Sequence, residues 1–266
     1  MIGEIYIGKN KYQIDFSKGK DISIPLLFNG EQPNTYGVDK AISNPYRNEN
    51  FIGDTRKGGP CNFETYQFTP HCNGTHTEGI GHITEERIDV LTSLKDVLMP
   101  AYLVTISPIN TKEHYLPDLE QEDQLITKKK LVEQLNDVPD VFLEALIIRT
   151  SSNHESKKSR DYMKQQPAFF SIDAMKYIKE RGVKHLLVDL PSVDRLFDEG
   201  KLSSHQVFWE TYDKKFNPKT QHKTITEMIF VEDQISDGKY LLTIQIPAFV
   251  SDAAPSRPII FEINEQ

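Results

Sequence analysis

The sequence has little cysteine, no long apolar run and no excess of positive charge. Two cysteines, Cys61 and Cys72, are too few to build a disulfide framework in a chain of 266 residues. A transmembrane helix needs about 18 consecutive apolar residues, and the sequence has no such run. Lys and Arg number 31 against 39 Asp and Glu, so the net charge of -8 argues against binding to a nucleic-acid backbone.

The first residues also lack the basic stretch and the apolar core of a secretion signal. We therefore expect a cytoplasmic protein. Its expected partner is a small-molecule substrate, with no nucleic acid and no membrane involved.

The composition is that of a globular protein, with 38% hydrophobic residues, 14 Phe and 11 Tyr. Helical spacing of apolar residues predicts helices over 84–99 and 127–136, and a third helix that Ser171 caps and Gly182 ends. Alternating or continuous apolar runs predict strands over 5–7, 12–14, 63–68, 101–106, 143–150, 183–189, 225–231, 240–246 and 258–263. The sequence thus predicts a single mixed α/β domain over residues 1–266, a mixed sheet with packed helices.

A histidine-rich segment, residues 71–82, stands out within this pattern. Three of the eight histidines fall in it, together with a cysteine and a glutamate, and all of these side chains can bind transition metals. Side chains alternate faces in an extended chain, so Cys72, His76, Glu78 and His82 are expected to share one face. His71 has the opposite parity and is expected to face away unless a bulge intervenes. Glycines in the segment argue against a helix and let the backbone approach an ion closely.

The segment resembles the signature of the cyclase superfamily of metal-dependent hydrolases, which contains kynurenine formamidase and isatin hydrolase. The signature reads His-x-Gly-Thr-His-x-Asp-x-Pro-x-His, and this chain has Cys72-x-Gly74-Thr75-His76-x-Glu78-x-Ile80-x-His82. The departures are Cys72 for the first histidine, Glu78 for the aspartate and Ile80 for the proline. The likeness implies a fold of the swivelling β/β/α type and a homodimer or homotetramer.

Weaker likenesses continue along the chain. They are Ile14–Ser17 near the start, residues 146–150, residues 188–194, and Pro255–Pro258 near the end. His205 and Glu227 stand where the family is expected to place its remaining ligands.

Carried over by residue, the resemblance implies two nearby divalent metal ions. One would be bound by Cys72, His76 and Glu78, and the other by Glu78, His205 and Glu227. A thiolate at Cys72 would favour Zn2+ over Mn2+, whereas the alternative is a buried apolar Cys72 that binds nothing. Glu78 is one methylene longer than aspartate, so the site could instead hold a single ion. Glu227 could also be a surface carboxylate without a ligand role.

The function implied is hydrolysis of an amide or cyclic-amide carbon–nitrogen bond, with His82 as the general base. A third metal ligand is the alternative role for His82. Asp189 and Asp194 are interpreted as structural residues at the turn after a buried strand. Two other functions stay open: a degenerate homologue that binds a small molecule without turnover, motivated by Cys72 and Glu78, and a lactone hydrolase or dehydratase.

Overall fold

The sheet and helices are described here from a computed structural model that covers residues 1–266. The strands are β1 (Ile2–Ile7), β2 (Asn10–Asp15), β3 (Lys20–Asp21), β4 (Ile42–Pro45), β5 (Glu64–Gln67), β6 (His76–Gly79), β7 (Met99–Ile106), β8 (Leu125–Ile126), β9 (Ala145–Thr150), β10 (Phe169–Phe170), β11 (His185–Val188), β12 (Thr224–Glu227), β13 (Gly238–Gln245), β14 (Ala253–Pro255) and β15 (Arg257–Glu265). The helices are α1 (Pro70–Asn73), α2 (Val90–Ser93), α3 (Lys128–Leu135), α4 (Ile172–Glu180) and α5 (Ser203–Trp209).

Eleven strands form one mixed sheet in the order β1-β2-β15-β13-β7-β9-β11-β12-β6-β14, with β3 paired to β15. The four central strands β7, β9, β11 and β12 run parallel to one another. Antiparallel strands extend this core on both sides, β13 next to β7 and β6 next to β12. Strand β6 is therefore bracketed by β12 and β14, and both neighbours fix its register.

The centre of the sheet is buried on both faces, which explains the continuous apolar run of β9. Leu146 and Ile148 belong to the larger apolar cluster, which includes buried residues of helices α3, α4 and α5. Ile147, with Leu187 of β11, belongs to a second cluster on the opposite side. The helices thus cover one face of the sheet, as the period-2 alternation requires.

The mixed α/β fold predicted from the sequence is confirmed, and most of its elements form where they were expected. Ser171 caps α4 by accepting a hydrogen bond from the amide of Ala174, and Gly182 takes a left-handed conformation with φ of 76° just beyond it. None of the helices has the length and apolar run needed to cross a membrane.

The helix predicted over 84–99 is wrong. Only the single turn α2 forms there, and the chain enters β7 at Met99. Asp89 accepts the capping hydrogen bond of this turn, from the amide of Thr92. The amide of Val90 bonds to the carbonyl of Ser251, so the segment is tied to the C-terminal part of the chain before a longer helix could form.

Ile148 lies at the middle of the parallel core and is completely buried. We expect Ile148→Ala to lower the free energy of unfolding by about 2–5 kcal/mol, because the cavity is enclosed by the sheet and its helices. Ile2→Ala is the matched control, since Ile2 is 66% exposed, and a change within about 0.5 kcal/mol is expected. Urea denaturation measures both, and equal effects would contradict this assignment of the core.

Candidate metal centre

Strand β6 presents His76 and Glu78 on the same face, as residues two apart in a strand do. Both side chains are fully buried. Glu227 of β12 lies directly opposite His76 in the sheet, and its Oε2 is 3.4 Å from His76 Nε2. The intervening Thr77 points to the other face, where its hydroxyl contacts that of Thr226. The pairing of two strands therefore brings together one imidazole and two carboxylates.

His76 is held in one tautomer by its own backbone. Its Nδ1 lies 3.0 Å from the carbonyl oxygen of Gly74. A carbonyl can only accept, so Nδ1 carries the proton and the Nε2 of the neutral ring has a free lone pair. That Nε2 is buried and has no hydrogen-bond partner. The arrangement leaves a ligand atom ready for a cation.

A second imidazole comes from helix α5. His205 Nε2 lies 3.0 Å from Glu78 Oε1 and 3.7 Å from Glu227 Oε1. On its other side Nδ1 donates to Asp194 Oδ2 at 2.6 Å. Asp194 also accepts from the backbone amides of Ser204 and His205, so it fixes the start of the helix and the imidazole together. Such a carboxylate–imidazole pair orients a metal ligand by keeping one nitrogen protonated.

His71 and His82 complete the cluster from short helical turns on either side of β6. Their rings stack with centroids 4.5 Å apart. The Nε2 atom of each lies 3.6 Å from Glu78 Oε2. Each ring also has a nitrogen close to Asp252 Oδ2, at 3.2 Å from His71 Nε2 and 3.4 Å from His82 Nδ1.

The candidate ligand atoms fall into three groups, each with all atoms within 4.8 Å of one another. The groups are His76, Glu78 and Glu227; Glu78, His82 and His205; and His71, His82 and Asp252. Glu78 belongs to the first two groups and His82 to the last two. The groups therefore form a connected series rather than three separate sites.

The donor set fits a divalent ion. The buried carboxylates of Glu78 and Glu227 have only histidines as ion-pair partners, and Glu78 Oε2 has no hydrogen bond. Buried carboxylates without a compensating cation are costly. Ligands about 2.1 Å from a tetrahedral ion lie about 3.4 Å from each other, close to several of the separations in this cluster. Imidazole and carboxylate together suit zinc or manganese.

The imidazoles also shift the pKa values of the acids. Burial opposes the ionisation of Glu78, but the charge of His82 and the hydrogen bond with His205 outweigh it and lower the pKa of Glu78 to about 2. Burial likewise works against a charged His205, yet Asp194 and Glu78 raise its pKa well above the usual value. The neighbouring imidazoles of His71 and His82 lower the pKa of Asp252. The carboxylates of Glu78 and Asp252 are therefore ionised at neutral pH.

The single extended strand expected over the histidine-rich segment is only partly formed. His76 and Glu78 share a face as expected, but Cys72 lies in helix α1 and His82 in a 3-10 turn. The expectation that His71 faces away is wrong, because the helical turn of α1 points it at Glu78 and Asp252.

Cys72 belongs to none of the three groups. It is buried, and burial together with the charge of Glu227 raises the pKa of its thiol to about 11. A Cβ on Gly81 would lie 2.0 Å from the backbone oxygen of Ile88, so this glycine permits a close approach of protein backbone. The ligand roles predicted for Cys72 and for the other site residues stay predictions.

Sequence reasoning missed Asp252 and interpreted Asp194 as structural only. Asp194 does cap α5, but it also holds His205. Asp252 enters the site because β14 pairs with β6, which places Ala253 opposite Glu78. No local spacing signals either contact, since each joins residues distant in sequence.

The Cyclase family model matches residues 20–195 of the chain. This chain belongs to the Cyclase family. Sequence relatives within it include the kynurenine formamidases of Bacillus cytotoxicus and Bacillus anthracis, 29% identical over 119 residues and 31% identical over 120 residues. Each match covers 44% of this chain and 49% of the relative, so the chain spans about half the length of the curated relatives it matches.

Solved structures share the Cyclase fold over nearly the whole chain. A protein of Bacillus stearothermophilus described as a predicted metal-dependent hydrolase has a TM-score of 0.60 at 17% identity and covers 92% of this chain and 98% of its own. Isatin hydrolase A from Labrenzia aggregata has a TM-score of 0.60 at 12% identity, covering 92% and 93%. At these identities the similarity is one of fold.

The contacts of His205 predict the protonation state of its imidazole in protein from which a chelator has removed any metal. We expect His205 to stay protonated at neutral pH, because Asp194 and Glu78 raise its pKa. Asp194→Asn removes one of these carboxylates and should lower the pKa of His205. Two-dimensional NMR of the imidazole nitrogens measures both proteins.

His185 serves as the internal reference, because burial lowers its pKa despite the hydrogen bond with Asp96. Its titration should not respond to Asp194→Asn. A His205 that loses its proton at a lower pH than His185 in the unsubstituted protein would contradict the assigned contacts.

Proposed function

We propose that this chain is a metal-dependent hydrolase that cleaves an amide or cyclic-amide carbon–nitrogen bond of a small molecule. The observation that carries the proposal is the position of Glu78, buried between His76 on one side and His82 and His205 on the other, with one oxygen that has no hydrogen bond. The choice of bond follows the relatives, which are named kynurenine formamidase and isatin hydrolase.

Glu78 is proposed as the shared ligand of two ion positions, one with His76 and Glu227 and the other with His205. Cys72 is left out of this set because it joins no group. Without a thiolate the set is nitrogen and oxygen only, which suits Zn2+ and Mn2+ alike. A divalent ion bound there supplies Lewis acidity, which acidifies water and polarises a carbonyl oxygen.

His82 is the proposed general base. Its side chain is 27% exposed, so it borders both the buried carboxylates and the solvent. Nε2 faces Glu78, where it can take the proton of the attacking water while the carbon–oxygen bond forms. The same proton is then given to the leaving nitrogen as the carbon–nitrogen bond breaks. Asp252 beside Nδ1 stabilises the imidazolium between these two transfers.

An exposed aromatic pair, one member of which lies three residues along the chain from Asp194, favours an aryl substrate. Tyr36 packs edge to face on Phe197, with ring centroids 6.5 Å apart. Phe197 is 60% exposed, so the pair offers an apolar wall that a planar ring could cover.

The role of His82 is tested by His82→Ala. We expect this variant to keep its metal and to lose at least about 100-fold in kcat, the usual contribution of a general base. Elemental analysis measures the metal, and turnover of an N-formyl aryl amine, a cyclic imide and a lactone measures the rate. The exposed His154 provides the control variant His154→Ala, which should leave both unchanged. If His82→Ala loses its metal, His82 is a metal ligand rather than the general base.

The same substrates separate the proposal from its alternatives. If only the lactone is turned over, the proposed amide hydrolysis is wrong and the protein is a lactone hydrolase. A protein that binds no metal under any loading condition, and turns over none of the three compounds, would be a binding protein without this activity.

A further inference from the structure

The third group of ligand atoms, formed by His71, His82 and Asp252, has no part in holding the ions of the proposed function. We propose that these three residues form an outer binding position for a divalent cation, and that an ion bound there inhibits the enzyme by occupying His82. The inhibitory part rests on the proposed function, whereas the binding part does not.

Two imidazole nitrogens converge on one carboxylate oxygen. Asp252 Oδ2 lies 3.2 Å from His71 Nε2 and 3.4 Å from His82 Nδ1. His71 Nε2 is buried and makes no hydrogen bond. Ligands that share one tetrahedral ion lie about 3.4 Å apart, so both separations fit a shared ion, although the shorter one also falls within the range of a hydrogen bond.

The backbone holds Asp252 firmly in this position. The amide of Gly79 donates to its carbonyl oxygen at 2.9 Å, and the preceding Ser251 accepts from the amide of Val90 at 2.7 Å. The other carboxylate oxygen, Oδ1, already accepts from the hydroxyl of Ser251 and lies 3.8 Å from Arg87. Oδ2 is therefore the oxygen left for an ion, and its placement needs no rearrangement of the chain.

The outer group differs from the inner ones in its access to solvent. The side chains of His71, His82 and Asp252 are 26%, 27% and 15% exposed. Those of His76 and Glu227 are 0% and 5% exposed. An ion can therefore reach and leave the outer position directly from water. We expect weaker and faster-exchanging binding there than at the buried carboxylates.

The inhibition follows from the chemistry of one imidazole. A neutral ring has one protonated nitrogen and one lone pair. If Nδ1 of His82 binds an ion, the proton must sit on Nε2, the nitrogen that faces Glu78. Nε2 can then no longer take a proton from water. Filling the outer position therefore removes the general base while leaving the inner ligands in place.

The binding part is tested by equilibrium dialysis of Co2+ against the folded protein, followed by its visible absorption spectrum. We expect a tight class of sites and one additional weaker site. Asp252→Asn and His71→Gln should each weaken binding at the additional site by at least about 10-fold. Altering only a hydrogen-bond partner of a metal ligand already causes a loss of that size, and these variants alter a ligand itself. Binding at the tight class of sites should not change. Glu85→Gln, on the exposed segment nearby, is the matched control and should bind as the unsubstituted protein does.

Equal numbers and affinities of sites in the unsubstituted protein and in both variants would overturn the proposal. Asp252 would then serve only as a partner of the two imidazoles. The side chain of His71 is 26% exposed, so His71→Gln is expected to fold, and a failure of Asp252→Asn to fold would not end the test.

The inhibitory part is tested by turnover at rising Co2+ concentration. We expect activity to fall as the weaker site fills, and His71→Gln to require at least about 10-fold more metal for the same loss. Inhibition that is identical in His71→Gln would overturn this part. If the protein turns over no substrate at all, the proposed function fails, but the dialysis result still decides the binding part.

Discussion

Glu78 is a carboxylate that the fold removes from water and whose ion-pair partners are all imidazoles. A buried ionised group must find compensating charge, and these three histidine rings can supply it only when they are protonated or when a cation joins them. The other features of the site follow from this constraint. The sheet fixes Glu78 between β12 and β14. Strand β12 brings Glu227, and Asp252 directly precedes β14. Helix α5 and the turns on either side of β6 bring the rings that face Glu78.

Most of the architecture could be predicted from the sequence, because its signals are local. The apolar run of β9, the cap at Ser171 and the alternation that puts His76 and Glu78 on one face all depend on residues close in the chain. The helix expected over 84–99 failed for the opposite reason. Its apolar residues do recur at helical spacing, but hydrogen bonds to residues 251 and 252 hold the adjoining backbone in other conformations. Local propensity is a weak prior when tertiary hydrogen bonds compete with it.

The site residues that lie within one strand could be predicted from the sequence, whereas contacts that depend on the pairing of two strands could not. Parity placed His76 and Glu78 correctly, but it assumed one continuous strand through Cys72 and His82. The chain instead forms a helical turn that begins at Pro70, and in this turn the side chain of His71, not that of Cys72, faces the cluster. Asp252 lies far along the chain from Glu78, and only the pairing of β14 with β6 joins them. Asp252 stands alone in a polar loop, so no pattern of neighbouring residues in the sequence indicates this contact.

The two ends of the cluster differ in depth, which suits them to different proposed tasks. The end at His76 and Glu227 is buried, so an ion bound there would be shielded from water. The exposed end, at His71 and Asp252, meets solvent and whatever ions it contains. A proton-transfer group has to sit at the boundary, where it reaches both the buried ligands and the substrate. His82 has that position, and its two nitrogens face the two ends. The geometry that would let His82 act as the proposed base is therefore the same geometry that would expose it to a competing ion.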